Sequence, residues 1–366
     1  MRCIGLMSGT SMDAVDAALC RIERGRVAAV EAVYRREYEA PLRERLLTLQ
    51  QAPDTPLSLR ELAALDHGIA EAFADAALGV LRAGGHGGAD IGAIGSHGQT
   101  VLHDPSLGNT LQLGDPSLIA ARAGIAVVAD FRRADIARGG QGAPLVPLFH
   151  RVCFGRFAPC AVLNLGGIAN LTVLSGDGAV TGFDTGPANG LMDAWIERAQ
   201  QRRYDADGRW AASGKIDDEL LRACLADPYF ARPPPKSTGR DHFNLGWLER
   251  RFPQVSTLPA ADVQRSLCAL SARSVAAQLQ RFAPQARRLI VCGGGRLNPL
   301  LMGDLRAALP GVRVQTTEEA AGIDGGVIEA AAFAWLAWRR IRKLPGSLPS
   351  VTGAAQPAIL GGLYLP

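Results

Sequence analysis

Ala161-Val162-Leu163-Asn164-Leu165-Gly166-Gly167-Ile168-Ala169-Asn170-Leu171-Thr172-Val173-Leu174 decides the architecture. An apolar run, a Gly-Gly turn and a second apolar run predict a strand, a tight polar loop and a returning strand. Ser175-Gly176-Asp177-Gly178 adds a hairpin loop, and residues 179–183 a third strand. The same order opens the chain. Residues 3–7 run apolar, a polar loop begins at Ser8, residues 15–20 resume the strand pattern and residues 27–38 supply a third strand. The recurrence lies in element order, without evident identity of residues. It predicts a duplicated α/β architecture whose two glycine loops face each other across an interdomain cleft, a layout suited to gripping a polyphosphate from both sides.

Working outward, Ser58 and Glu61 have capping-box spacing. Leu62, Leu65, Ile69, Phe73, Ala77 and Val80 then recur three or four apart, so one helix face is buried. Gly84-Gly85-His86-Gly87-Gly88 stops that helix. Short strands are expected at 91–95, 110–113 and 125–129, with a helical turn between the last two. Helices are expected at 188–202, 263–282 and 327–341. A strand at 289–292 runs into Gly293-Gly294-Gly295, and Pro233-Pro234-Pro235 marks a rigid loop. At 366 residues the chain suits two lobes. The reading divides it into residues 1–150 with 345–366, and residues 151–344.

Composition narrows the function. Net charge is only +4, from 39 basic against 35 acidic side chains, and no long basic run occurs, which argues against nucleic acid. No apolar stretch reads as a secretory signal or a membrane span. The seven cysteines are scattered with no C-x-x-C pair, arguing against zinc and a disulfide framework and for a reducing compartment. The expectation is a cytoplasmic protein. The 42 glycines gather in short loops, as where backbone approaches a ligand closely.

Three loops carry candidate chemistry. In Ser8-Gly9-Thr10-Ser11-Met12-Asp13, Gly9 frees backbone N–H groups for an anion and two hydroxyls follow. Asp13 suits a magnesium-bound water or a structural cap. The 164–170 loop has the same design. Gly293-Gly294-Gly295-Arg296-Leu297-Asn298 follows a strand and precedes a helix, where it could face a ribose or adenine. It is not G-x-G-x-x-G, and no G-x-x-x-x-G-K-[ST] occurs, so dinucleotide-fold and P-loop readings lack support. Asp184, ahead of Gly186-Pro187, reads either as a general base on rigid backbone or as a helix N-cap. With an ordinary pKa of about 3.9 it is ionised at neutral pH. Ser96-His97-Gly98-Gln99, Asp115, Asp130 and Arg132 form a polar set suited to a sugar. Histidine and cysteine spacings give no metal site, and Lys236 and Arg240 could face substrate, a partner or solvent.

These motifs resemble the anhydro-N-acetylmuramic acid kinase family. The likeness is carried by residues 5–13, by Gly95-Ser96-His97-Gly98-Gln99-Thr100, by Ala129-Asp130-Phe131-Arg132 and by Gly139-Gly140-Gln141-Gly142-Ala143-Pro144-Leu145. Residues 164–170, Phe183-Asp184-Thr185-Gly186-Pro187, residues 234–240, Glu329-Ala330 with Phe333-Ala334-Trp335, and residues 348–354 continue it. Ala14 and Ala188 stand where the family commonly has glycine, and Gly326 where it has a larger residue. The resemblance implies a two-lobed actin-like sugar-kinase fold with ATP and Mg2+ in the cleft. It implies ATP contacts from Gly9, Thr10, Ser11, Met12, Asp13, Ala14, Val15, Asp16, Asn164, Gly166, Gly167, Gly293, Gly294, Gly295 and Asn298. Asp184 would be the catalytic base, and His97, Gln99, Asp115, Arg132 and Glu329 would contact the sugar. The implied reaction opens 1,6-anhydro-N-acetylmuramic acid with water and phosphorylates O6. The implied assembly is a homodimer. Two other readings share the glycine loops: an actin-like ATPase of filament or chaperone type, and a phosphatase on the same fold.

Overall fold

The computed structural model describes residues 1–9, 12–51 and 55–366, the side chains of Gln50 and Gln51 apart. Thr10 and Ser11, expected at the nucleotide, lie outside the described residues. The chain divides into two compact units, Met1–Cys153 with Val327–Pro366, and Phe154–Gly326.

In the first unit, β1 (Arg2–Met7) is central because Cys3, Ile4 and Leu6 are all fully buried, as in a strand covered on both faces. It pairs antiparallel with β2 (Ala14–Glu23), which pairs antiparallel with β3 (Arg26–Glu37). On its other side it runs parallel to β4 (Ile91–Ser96). A two-stranded ribbon follows, β5 (Gln99–Asp104) with β6 (Asn109–Leu113), and then β7 (Val127–Ala129) joins β4 in parallel. The sheet order is Gly362–Tyr364, β7, β4, β1, β2, β3.

Two helices cover this sheet. Leu59–Gly84 starts at Ser58, whose hydroxyl accepts from the Glu61 N–H, and stops at Gly85, left-handed at φ 67°. Only half of the expected capping box forms, because the Glu61 carboxylate pairs with Arg45 instead. Leu65, Ile69, Phe73, Ala77 and Val80 are buried as the spacing predicts, while Leu62 is half-buried.

The second helix, Ile328–Ile341, depends on two strand glycines. A Cβ at Gly5 would lie 1.7 Å from the Ala330 carbonyl oxygen, and one at Gly95 would lie 2.1 Å from that of Phe333. Their hydrogens let the helix backbone rest on β1 and β4. These close approaches are therefore to protein rather than ligand. They also move the boundary: residues 327–344, assigned from sequence to the second lobe, belong to the first unit. Helix Ala40–Gln51 was not foreseen, since among its described side chains only Leu46 and Leu49 are buried.

In the second unit, β8 (Cys160–Leu165), β9 (Ile168–Leu174) and β10 (Val180–Pro187) form the antiparallel meander that the opening stretch predicts. β11 (Arg288–Cys292) runs parallel to β8, and β12 (Arg313–Thr316) parallel to β11. The order β10-β9-β8-β11-β12 repeats the β3-β2-β1-β4-β7 order of the first unit. Helix Ala260–Phe282 fills the core against this sheet with Val263, Leu267, Val275 and Leu279. The helix expected from residue 188 begins at Asn189, because Pro187 still pairs with Ile168 inside β10. The seven cysteines are all unbridged, and among the described residues no helix is long and apolar enough to cross a membrane.

Candidate active site

Asp184 sits within β10, where the pairing with β9 slips between Asp184 and Gly186. It is therefore not a helix cap. The Asn170 amide, directly across the ladder, donates to its Oδ1 at 2.8 Å, and the Thr238 N–H donates to its Oδ2 at 2.9 Å. Its backbone is gripped too: the Asp184 N–H donates to the Lys236 carbonyl at 3.1 Å, and the Tyr229 hydroxyl donates to the Asp184 carbonyl at 2.8 Å. Burial raises its carboxyl pKa against the opposing effects of these two donors and of Lys236. The ordinary value expected from sequence is thus corrected upward. A half-buried carboxylate with fixed orientation and raised basicity is well matched to proton abstraction.

The two glycine loops of this unit meet. Gly293 is left-handed at φ 79°, and a Cβ there would lie 2.3 Å from Asn164 Oδ1 and 2.7 Å from the Leu165 carbonyl. At Gly295 a Cβ would lie 2.7 Å from that of Leu165. The carbonyls of Gly166 and Gly167 accept from the N–H groups of Ala188, Asn189 and Gly190, tying the 164–170 loop to the helix after β10. Among the described residues only Asn189 Nδ2 lies within 4 Å of a Cβ built at Gly294. Asn298 has a different role from the one expected: its Oδ1 accepts from the Leu300 and Leu301 N–H groups as the N-cap of helix Pro299–Ala308. Arg296, which sequence reasoning missed, braces the loop by donating to the Gly293 carbonyl, Glu318 and Asp324. Glu318 also accepts from the Gly325 N–H, and its pKa is pushed down to about 2 by that bond, its own N–H, Arg296 and Thr316 acting against burial.

In the first unit the Ser8 hydroxyl donates to Gln99 Oε1 at 2.7 Å, linking the first loop to β5. The Gln99 carbonyl also accepts from the Tyr38 hydroxyl at 3.4 Å, so that oxygen is engaged by protein. Met12 is 1% exposed and packs in the core, and Ala14 and Val15 are buried within β2. Asp13 pairs with Arg43 at 2.7 Å and Asp16 with Arg35 at 3.2 Å. Asp115 caps helix Pro116–Ala123 by accepting from the Ser117 N–H.

The sugar-type polar set does contain a built cluster. His97 Nδ1 donates to the Gly98 carbonyl, and Nε2 accepts from Arg132 at 2.7 Å. Burial and Arg132 hold the ring neutral, well below the usual histidine range. Phe333 packs on it with centroids 4.7 Å apart. Arg132 also donates to the Gly142 carbonyl, and burial lowers its pKa to about 10. Glu329, at the start of the helix on β1, has its pKa raised by burial, with Arg132 opposing. Beside them lies a cavity of ≈ 430 Å³ lined by Leu62, Ser96, His97, Leu111, Asp130 and Arg133, among others. Asp130 reaches it in a left-handed conformation (φ 59°), and the buried Ser96 hydroxyl has no hydrogen-bond partner among the described residues.

Solved structures resemble this fold loosely over nearly the whole chain. Component A of (R)-2-hydroxyglutaryl-CoA dehydratase from Acidaminococcus fermentans is 13% identical with a TM-score of 0.48, covering 92% of this chain and 98% of that one. The activator of 2-hydroxyisocaproyl-CoA dehydratase from Clostridium difficile, with bound ADPNP, is 12% identical with a TM-score of 0.47, covering 94% and 96%. A ROK family glucokinase from Streptomyces griseus, in complex with glucose and AMPPNP, is 17% identical with a TM-score of 0.41, covering 91% and 99%. The family model of anhydro-N-acetylmuramic acid kinase matches residues 1–366, every motif quoted above included, and the chain belongs to that family.

Proposed function

We propose that the protein uses ATP to open 1,6-anhydro-N-acetylmuramic acid with water and to phosphorylate O6, yielding N-acetylmuramic acid 6-phosphate and ADP. Membership of the family supports the substrate pair. The observation that carries the chemistry is Asp184, fixed by Asn170 and Thr238 and raised in basicity by burial. It takes a proton from water. That water's oxygen bonds to C1, the C1–O6 bond breaks, and O6 takes the γ-phosphoryl group as ADP departs. Phosphoryl transfer asks mainly for alignment and charge neutralisation. The backbone of Gly9, Gly166, Gly167 and Gly293–Gly295 is suited to aligning the nucleotide. His97, Arg132 and Glu329 are assigned to the sugar: cationic Arg132 as donor, Glu329 as acceptor, and neutral His97, whose one N–H goes to the Gly98 carbonyl, as the acceptor that orients Arg132. Asp115, Asn298 and Met12 leave the assignment, since helix caps and core packing account for them.

Among the described residues no group of three His, Cys, Asp or Glu side chains could hold a metal ion. A magnesium ion carried on the nucleotide phosphates would need only one or two carboxylates and keep several waters. Asp13 would meet it through a water. When bound, the ion neutralises charge developing on the phosphates. In this reading the enzyme is a cytoplasmic homodimer serving cell-wall recycling.

Asp184→Asn tests the assignment. Positioned base catalysis is worth about 10²–10⁴-fold, so sugar-dependent ADP release should fall by that factor while ATP still raises the melting temperature. Mass spectrometry of the wild-type product should show a sugar phosphate that has gained water. Near-normal turnover in the variant removes Asp184 as the base, and ATP hydrolysis indifferent to sugar favours the ATPase or phosphatase reading.

A further inference from the structure

Lys236 is a buried lysine, 6% exposed, in the stretch that follows the three prolines. An ammonium carries three N–H donors and is costly to bury unless paired. Its Nζ donates to the Tyr229 carbonyl at 3.2 Å and stands 4.6 Å from the centroid of the same residue's ring. Tyr229 in turn donates its hydroxyl to the Asp184 carbonyl, while the Lys236 carbonyl accepts the Asp184 N–H. Asp184, Tyr229 and Lys236 therefore close a ring of contacts. Two residues past Lys236, the Thr238 N–H holds the carboxylate itself.

The charges around this ring are unequal. Asp184 favours the charged lysine, whereas Arg281 and Arg232 oppose it, and with burial they bring its pKa down to about 8. The helix that carries Arg281 also anchors the Tyr229 segment, through Gln278 to the Phe230 carbonyl and Arg281 to the Ala231 carbonyl. His242 approaches from the other side, 3.3 Å from the Thr238 hydroxyl and 3.6 Å from Asp227, which also pairs with Arg251. Lys236 is the cation that acts favourably on the Asp184 carboxylate.

We infer that Lys236 is a positioning residue for Asp184, anchoring the strap that orients the carboxylate and lending it a positive charge. This rests on the reading of Asp184 as the base. Without the ammonium, the carboxyl holds its proton to higher pH. The acidic limb of kcat should then move up, because the base must be ionised to work.

The test follows the Asp184 carboxyl directly, by carbon NMR titration of aspartate-labelled protein with the resonance identified by its loss in Asp184→Asn. In Lys236→Met the carboxyl pKa should rise by about half a unit or more. The acidic limb of kcat should rise with it, and kcat at pH 7 should fall on the order of tenfold. The KM for ATP should stay the same. Lys236→Arg, which keeps the charge, should hold the titration within about 0.2 units of wild type. Lys236→Gln, which keeps a donor for the Tyr229 carbonyl, replaces the methionine variant if that does not fold. A carboxyl titration indifferent to loss of the lysine overturns the inference. A titration that shifts while the kinetic limb stays still upholds the coupling and instead removes Asp184 from the proton-transfer step.

Discussion

At the scale of single residues, the burial of the Asp184 carboxyl is coupled to stability. Its folded-state pKa is raised, so its contribution to stability is fully present below the unfolded value of about 3.9 and is lost as pH rises through the folded value. The wild type should therefore lose stability relative to Asp184→Asn across that window and no further above it. Urea unfolding of both proteins from pH 3.5 to 8 measures this, and a pH-independent difference contradicts the raised pKa. The residue itself was legible in the sequence, but its partners were not. Asn170 lies 14 positions away and Thr238 lies 54, distances at which spacing carries no signal. Asp115 and Asn298 had a second, local reading. Each precedes a proline, Pro116 and Pro299, and an Asx-Pro pair is a helix-start signal that the caps at these two positions bear out.

At the scale of elements, the strand glycines decide which helix covers which sheet. Gly5→Ala or Gly95→Ala forces a methyl against helix backbone, which cannot rotate away as a side chain would. Overpacking of this kind typically costs about 1–3 kcal/mol, and the values here should fall at or above the upper end. Gly303→Ala offers the contrast: it lies exposed in helix Pro299–Ala308 with none of the described residues within 4 Å of a Cβ, so alanine should stabilise by about 0.5–1 kcal/mol. Denaturation midpoints separate the two cases, and equal effects would undo the packing account. The meander of β8, β9 and β10 was readable because strand, turn and strand are local. The helix covering β1 and β4 comes from more than 230 positions beyond β4, so the sequence around Gly5 and Gly95 carried no signal of what would rest on them.

At the scale of the molecule, the second unit is one uninterrupted segment, Phe154–Gly326, with a hydrophobic core drawn entirely from its own residues. Expressed alone, it should fold and unfold cooperatively, with near-ultraviolet signals from Trp195 and Trp247, both buried in that core. A fragment lacking fixed aromatic signals would show that the unit borrows its stability. The first unit has no such independence, since its strands β1 to β4 and its covering helix come from either side of the second unit. The recurrence of strand order made two units legible. The boundary was misplaced because residues 327–344 carry no mark of which sheet they will cover.

That division of the chain has a consequence during synthesis. A ribosome releases β1 and β4 early, with Gly5 and Gly95 bare, and must translate the whole second unit before the helix that shields them emerges. The segment bearing Asp184 can mature first, while the sheet made before it waits for residues made after it; any pause in translation before Val327 prolongs the interval in which that sheet is open to wrong partners.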